Sequence, residues 1–162
     1  MLLPKYIFPK ITDITPAFLQ SHDIRLLLMD FDNTMLPYTT DIPTPELLEW
    51  IDRMKGADIR LCIVSNSKKK TRVPNFSEKY GIPCVTHANK PGTKGIKQAI
   101  SEIGEPRAAL VGDQIYTDVL GANLAGIPSL IVRSIDNHNI WLKLRHVLEL
   151  PFLAMATRRK VI

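Results

Sequence analysis

Leu26-Leu27-Leu28-Met29-Asp30-Phe31-Asp32-Asn33-Thr34 is the stretch on which the reading of this chain turns. Four consecutive apolar residues fit a strand buried on both faces, as in a parallel sheet, and the run stops at two carboxylates with one residue between them. In open α/β sheets ligands bind beyond the carboxyl ends of the strands, so an acid pair there suits a metal and a phosphate. Taken alone, the same string is equally well a strand followed by a polar turn, because Asp and Asn are common turn formers.

Outward from this strand the pattern repeats. Arg60 to Val64, Ile82 to Thr86, Ala108 to Val111 and Ser129 to Val132 are short apolar runs that read as four further strands. Helical patterns lie between them. Thr44-Pro45-Glu46 supplies an N-cap, a first-turn proline and an acidic first turn to a helix carrying Leu47, Leu48, Ile51 and Met54 and stopped by Gly56. Val73, Phe76 and Tyr80 predict a helix ending at Gly81, and Pro74 inside the pattern predicts that it begins only there. Thr93 caps a helix with Ile96, Ala99, Ile100 and Ile103 on one face, closed by Gly104. A further helix ends at Gly126. Ahead of the first strand, Thr15-Pro16 starts a short helix over residues 16–21; beyond the last, Ile140, Trp141, Leu144, Val147 and Leu148 recur at helical spacing.

The chain therefore reads as one domain: a packing segment over 1–25, a core over 26–132 and a basic C-terminal helix and tail over 133–162. Strands alternating with helices predict an α/β fold, three layers in the Rossmann-like manner, with a mainly parallel five-stranded sheet and right-handed crossovers. In such a sheet the strand ends share one edge. Asp30 and Asp32, Ser65, Lys90 and Asp113 then converge there although they are far apart in sequence.

Composition narrows the classes. The 162 residues are 45% hydrophobic and 23% charged, an ordinary globular balance with enough apolar material for a core. Cys62 and Cys84 lie in apolar, strand-like stretches and read as small buried hydrophobes of a reducing compartment. Pro4, Lys5, Pro9 and Lys10 interrupt the N-terminus before a signal-peptide core can form, and no apolar run is long enough to span a bilayer, so the expectation is a cytoplasmic protein, at most peripheral on a membrane. Of the net charge of +5, residues 133–162 carry +4 and residues 26–132 carry none, since the latter hold twelve basic and twelve acidic side chains. A basic tail containing Trp141, Phe152, Leu153, Met155, Arg158, Arg159 and Lys160 suits anionic lipid or RNA, although a solvated basic end is the commoner case.

Each polar residue after a strand also has a plain reading: Ser65 as a helix cap, Lys90 as a solvated lysine before a proline, Asp113 as a turn residue after glycine. Their joint order is more telling. Acid pair, hydroxyl, lysine and acid pair follow four successive strands, and these are the groups that phosphoryl transfer uses. No Gly-x-x-x-x-Gly-Lys-Ser/Thr string occurs, which excludes a P-loop. A two-component receiver domain fails on placement, because its acceptor Asp follows the third strand, where this chain has His87.

Asp30-Phe31-Asp32-Asn33-Thr34, Ser65-Asn66, Lys90-Pro91 and Gly112-Asp113 with Asp118 together resemble the four motifs of the haloacid dehalogenase superfamily phosphatases. The opening motif, the Lys-Pro form of the third and the flanking sequence are similar, more narrowly, to the subclass IIIA branch called the YqeG family, itself similar to phosphatidylglycerophosphate phosphatases of mitochondria and plastids. The resemblance implies Asp30 as nucleophile and Asp32 as general acid and base. It also implies Mg²⁺ on Asp30, the Asp32 backbone carbonyl and Asp113; Ser65 and Lys90 on the phosphoryl group, with Thr34 and Asn66 beside the substrate; and Asp118 orienting the metal shell or Lys90. Lys94 is the second choice for the lysine role.

Members of that superfamily often carry an inserted cap domain. Only 30 residues separate Thr34 from Ser65 and 24 separate Ser65 from Lys90, and the elements between use them up, so no cap domain is expected. An uncapped cleft favours a substrate that is itself large, such as a protein, a nucleic acid or a lipid at a membrane surface; among these the resemblance implies a membrane-borne one, phosphatidylglycerophosphate. Lys68, Lys69, Lys70 and Arg72 could flank its mouth, or form a solvated helix face. The alternative is a phosphatase or a non-enzymatic binding factor in RNA or ribosome metabolism, which no nucleic-acid motif marks.

Overall fold

The computed structural model describes residues 2–136. The helix expected after residue 137 and the basic tail, with their apolar and cationic residues, lie outside the described residues. Six strands form one parallel sheet: β1 (Tyr6–Phe8), β2 (Leu26–Met29), β3 (Arg60–Val64), β4 (Cys84–Val85), β5 (Ala108–Gly112) and β6 (Ser129–Val132), in the order β1-β6-β5-β2-β3-β4. The helices are α1 (Pro16–Ser21), α2 (Pro45–Gly56), α3 (Arg72–Tyr80), α4 (Lys94–Ile103) and α5 (Leu120–Ala125).

Strand β2 is central, and Leu26, Leu27, Leu28 and Met29 are each fully buried, as an apolar run without alternation requires. Successive side chains point to opposite faces. Leu27 and Met29 join Leu61, Ile63, Ala109 and Val111 in a core closed by Trp50, Ile51 and Met54 of α2 and Phe76 of α3. Leu26 and Leu28 join Cys62, Val64, Ala108 and Leu110 against Ile96 and Ala99 of α4 and Ala122 of α5. The result is a helix, sheet, helix sandwich. Burial pushes the Cys62 thiol up to about 12, which makes it an inert core residue.

Four details differ from the sequence reading. The sheet has a sixth strand, because Tyr6–Phe8 pairs with Leu130–Val132. Helix α3 starts at Arg72, ahead of Pro74, whose missing N–H falls in the first turn and so forfeits no helical bond. The third strand of the sequence reading shrinks to Cys84–Val85. Thr93 precedes α4 but makes no side-chain cap bond, its own backbone being helical already. The caps at Thr15 and Thr44 form as expected, with Phe18 N–H and Leu47 N–H donating to their hydroxyls at 3.1 and 3.2 Å.

Between Thr34 and Ser65 the chain consists of a loop, α2 and β3, and among the described residues no cap domain is inserted. No helix among these residues is long and apolar enough to cross a membrane.

One buried polar bond fixes the N-terminal segment to the helical layer. Trp50 Nε1 donates to Ile14 O at 2.8 Å, with Trp50 only 1% exposed. Trp50→Phe keeps most of the packing but strands a buried carbonyl, so it should cost about 1–3 kcal/mol. Urea denaturation is expected to show a lower midpoint at unchanged slope.

Candidate active site

The chain runs from β2 outward through β3 to β4, then crosses to the other side of β2 for β5 and β6. The order reverses between β2 and β5, which makes the crevice at their carboxyl ends the topological switch point. Asp30 follows β2 and Asp113 follows β5, and the Asp30 N–H donates to Val111 O at 2.9 Å, extending the ladder to the edge of the site.

Carboxylate oxygens of Asp30, Asp113 and Asp118 lie within 4.8 Å of one another, all three residues buried. Lys90 Nζ enters this cluster, donating to Asp30 Oδ1 at 2.8 Å and to Asp118 Oδ1 at 2.6 Å. The Thr34 hydroxyl stands 3.3 Å from both Asp30 Oδ2 and Asp113 Oδ1; with one proton it can donate to either. Lys94 is exposed on α4.

Backbone devices bring Asp118 in. Residues Ile115–Val119 form a widened turn in which Val119 N–H reaches back five residues to Gln114 O at 3.2 Å, the π-type irregularity often found at functional sites. Its carboxylate then lies over Gly112. A Cβ on Gly112 would stand 2.2 Å from Asp118 Cγ, so only glycine admits this packing. The Gln114 N–H donates to the other Asp118 oxygen at 3.1 Å.

Asn66 aligns Lys90. Its Oδ1 accepts the Lys90 N–H and its Nδ2 donates to the Lys90 carbonyl, each at 2.9 Å, a two-point grip on the backbone. Asn66, expected beside the substrate, is thus tied to the Lys90 loop. Ser65 is buried at the end of β3, where its Oγ accepts the Ser67 N–H at 2.9 Å and retains its own proton to donate.

Asp32 sits apart from the acid cluster and faces an unexpected partner. Arg72 Nε lies 2.9 Å from Asp32 Oδ1, close enough for an ion pair though not aligned as a hydrogen bond. The Arg72 side chain is only 2% exposed. Its other nitrogens donate to Thr40 O at 2.7 Å and Pro37 O at 2.6 Å and pair with Asp41, while the guanidinium stacks 5.1 Å from the Phe31 ring centre. In sequence Arg72 hides at the end of Lys68-Lys69-Lys70-Thr71, a run that reads as solvated. The signal that could have found it is helical phase: position 72 shares the face of Val73 and Phe76, which point into the core.

Electrostatics follow from the count. Three buried carboxylates against one buried ammonium leave an excess of two negative charges. Burial alone would lower the Lys90 pKa, but attraction to Asp118 and Asp30 outweighs it and holds the ammonium charged. The excess appears on the acids: desolvation, then repulsion from Asp30 and Asp118, raises Asp113 well above the usual range. Desolvation raises Asp118 to about 6 against the pull of Lys90. Hard oxygen ligands with an uncompensated double charge are what a divalent cation such as Mg²⁺ requires.

A cleft of about 280 Å³, bordered by Asp30, Asp32, Tyr38, Ser67, Lys90 and Thr117, opens over these groups. Residues 1–135 match the family model described as mitochondrial PGP phosphatase. The chain belongs to this family. It is 36% identical over 132 residues to the probable phosphatase YqeG of Bacillus subtilis, covering 80% of this chain and 76% of that one. It is 29% identical over 147 residues to the mitochondrial phosphatidylglycerophosphatase of Saccharomyces cerevisiae, covering 80% and 77%. The solved structure of the cobalt-bound deoxy-D-mannose-octulosonate 8-phosphate phosphatase of Haemophilus influenzae shares the fold, with TM-score 0.55 and 15% identity over 76% of this chain and 75% of that one. The chain is a phosphoric monoester hydrolase of the haloacid dehalogenase type, acting on a phosphorylated substrate.

The raised acid pKa sets a pH dependence. Asp118 holds a proton more tightly folded than unfolded, so its contribution to stability is full below its ordinary value of 3.8 and is lost as pH rises through about 6. The melting temperature of the chelator-treated protein should therefore carry a component that falls over this window. Asp118→Asn should remove that component, which a parallel pH series of thermal melts will read.

Proposed function

We propose that this phosphatase hydrolyses phosphatidylglycerophosphate with Mg²⁺ through an aspartyl-phosphate on Asp30, as a cytoplasmic protein working at a membrane surface. The observation that carries the chemistry is the buried acid cluster with its double negative excess beside Lys90. Support for the substrate comes from the yeast relative, described as a phosphatidylglycerophosphatase, and from a cleft that no inserted cap domain covers among the described residues.

In this reading an Asp30 oxygen attacks phosphorus while the bond to the leaving oxygen breaks, and Asp32 delivers its proton to that oxygen. A water then attacks the acyl phosphate, Asp32 takes its proton, and the Asp30 carboxylate and inorganic phosphate are released. Asp30, Asp113 and the Asp32 backbone carbonyl would hold Mg²⁺, with Asp118 in the same carboxylate cluster as Asp30 and Asp113. Bound there, the ion supplies the positive charge that lets a carboxylate approach an anionic phosphate. Lys90 adds a fixed charge on the transferring oxygens and Ser65 donates to one of them. Thr34 orients the carboxylates of Asp30 and Asp113, Asn66 holds Lys90 in register, and Arg72 aims Asp32 at the leaving oxygen.

The test is hydrolysis of phosphatidylglycerophosphate in mixed micelles and of an aryl phosphate, each with and without Mg²⁺. Asp30→Asn should abolish both while melting near the wild-type temperature; activity near wild type would remove Asp30 from the mechanism. Turnover of an RNA or a phosphoprotein instead of the lipid would move the chain to the alternative substrate class.

Arg72 and Asp32 make a separable prediction. Asp32→Asn should lower kcat/KM for an alkyl phosphate by ~10²–10⁴-fold, the worth of a general acid. Arg72→Lys keeps the charge but loses the planar fork, so it should lower the same constant by about tenfold. Both losses should shrink with p-nitrophenyl phosphate, whose leaving group needs no proton; equal losses on the two substrates would reduce Arg72 to a scaffold residue.

A further inference from the structure

The basic run after β3 is divided between two tasks. Lys69 turns to the 37–41 loop, with Nζ 2.8 Å from Tyr38 O and over the Tyr38 ring at 4.1 Å, and Arg72 is buried against Asp32. Lys68 and Lys70 go the other way. They border a second cavity of about 560 Å³, together with His87 and Asn89. Asn66, Ser67, Lys68 and Lys90 line both this cavity and the catalytic cleft, so the two adjoin across these residues as parts of one groove, and the second part has twice the volume of the first.

The charge of this second part is one-sided. None of its lining residues is acidic, and neither Lys68 nor Lys70 has an ion pair among the described residues. The loop after β4 is shaped toward it. Ala88 and Lys90 are buried, whereas His87 and Asn89 are exposed and adopt left-handed backbone, with φ of 51° and 54°. A non-glycine residue at positive φ carries a conformational cost, and two flanking one buried alanine turn both polar side chains outward to the groove. The acid-free groove also contrasts with the adjoining acid cluster, whose excess is negative.

We propose that the Lys68, Lys70 and His87 end of the groove is a second anion subsite, which binds a phosphate or phosphodiester carried on the leaving alcohol of the substrate. This rests on the phosphatase reading above and deepens it by naming the residues for the rest of the substrate: phosphatidylglycerophosphate carries a phosphodiester a short bridge from the scissile phosphate, and Lys68, Lys70 and His87 border the part of the groove it would enter. An alkyl phosphate with no second phosphoryl group fills the catalytic cleft alone and forgoes Lys70 and His87.

The test uses Lys70→Ala combined with His87→Asn, since neither residue borders the catalytic cleft and asparagine tolerates positive φ. Propyl phosphate is the single-anion probe, propane-1,3-diol bisphosphate the free-phosphate probe and dioctanoyl phosphatidylglycerophosphate the lipid phosphodiester probe. The wild type should favour the two-anion substrates in kcat/KM by at least about tenfold, mainly through KM, the size of one or two charge-assisted contacts. The variant should lose most of that preference while handling propyl phosphate as before. Loss with the lipid alone assigns the subsite to a phosphodiester, and loss with the bisphosphate alone to a free phosphate. No preference in the wild type, or a preference that survives in the variant, overturns the subsite. Calorimetric binding of propane-1,3-bisphosphonate against propylphosphonate reads the same preference without turnover. A protein that hydrolyses none of the substrates but binds the bisphosphonate more tightly would sink the phosphatase reading and leave the anion subsite standing.

Discussion

Two uncompensated negative charges at the carboxyl ends of β2 and β5 are the constraint around which this molecule is arranged. Like charges packed in a low-dielectric setting repel strongly, and the interaction grows steeply as solvent is removed. A chain that needed only stability would not bury Asp30, Asp113 and Asp118 within 4.8 Å of one another with a single ammonium between them. Much of the local structure serves to enforce that proximity. Gly112 gives up a side chain so that Asp118 can lie across it, the widened turn at 115–119 aims the carboxylate, and Asn66 grips the Lys90 backbone at both polar atoms. The raised pKa of Asp118 and Asp113 is the electrostatic record of the same arrangement.

The sheet explains why the strain is tolerated. Strand β2, with no solvent-exposed residue and paired on both sides, is a rigid platform for Asp30, and β5 fixes Asp113 through the Met29 and Val111 register. The two apolar layers above and below close over side chains that alternate strictly in and out of each face. Rigidity at the strand ends permits repulsion between the groups they carry. The fold and the site are therefore linked in one direction: the core supplies the stability that the acid cluster spends.

Much of this was legible in the chain because it is written locally. The unalternating run at 26–29, the threonine-proline starts at 15–16 and 44–45 and the glycines after α3 and α4 each announce an element within a few residues. The acids and Lys90 were placed on one edge by topology, since each follows a strand. What escaped depends on partners far away in sequence. Tyr6–Phe8 is a strand only because β6 lies beside it; three residues between prolines carry no periodicity of their own. Arg72 looked like the tail of a lysine run, and only the fold brings Asp32 and the carbonyls of residues 37 and 40 to its guanidinium. Asn66 lines the cleft, and its grip on Lys90 depends on how β3 and the loop after β4 come together.

Arg72 also bears on why the cleft has the form it does. The loop after Thr34 is held down at Pro37, Thr40 and Asp41 by one buried guanidinium, with Lys69 pinning Tyr38 beside them. A loop fastened at four points by two cations cannot swing across the crevice as an independent lid, yet it borders the cleft through Tyr38. The same side chain that fastens it also faces Asp32, so the wall of the entrance and the aim of that carboxylate are set by a single residue. Recognition of the remainder of a substrate then falls to the fixed surfaces beyond the acids. The groove running past Lys68 toward Lys70 and His87 is the part of those surfaces that lacks acidic side chains.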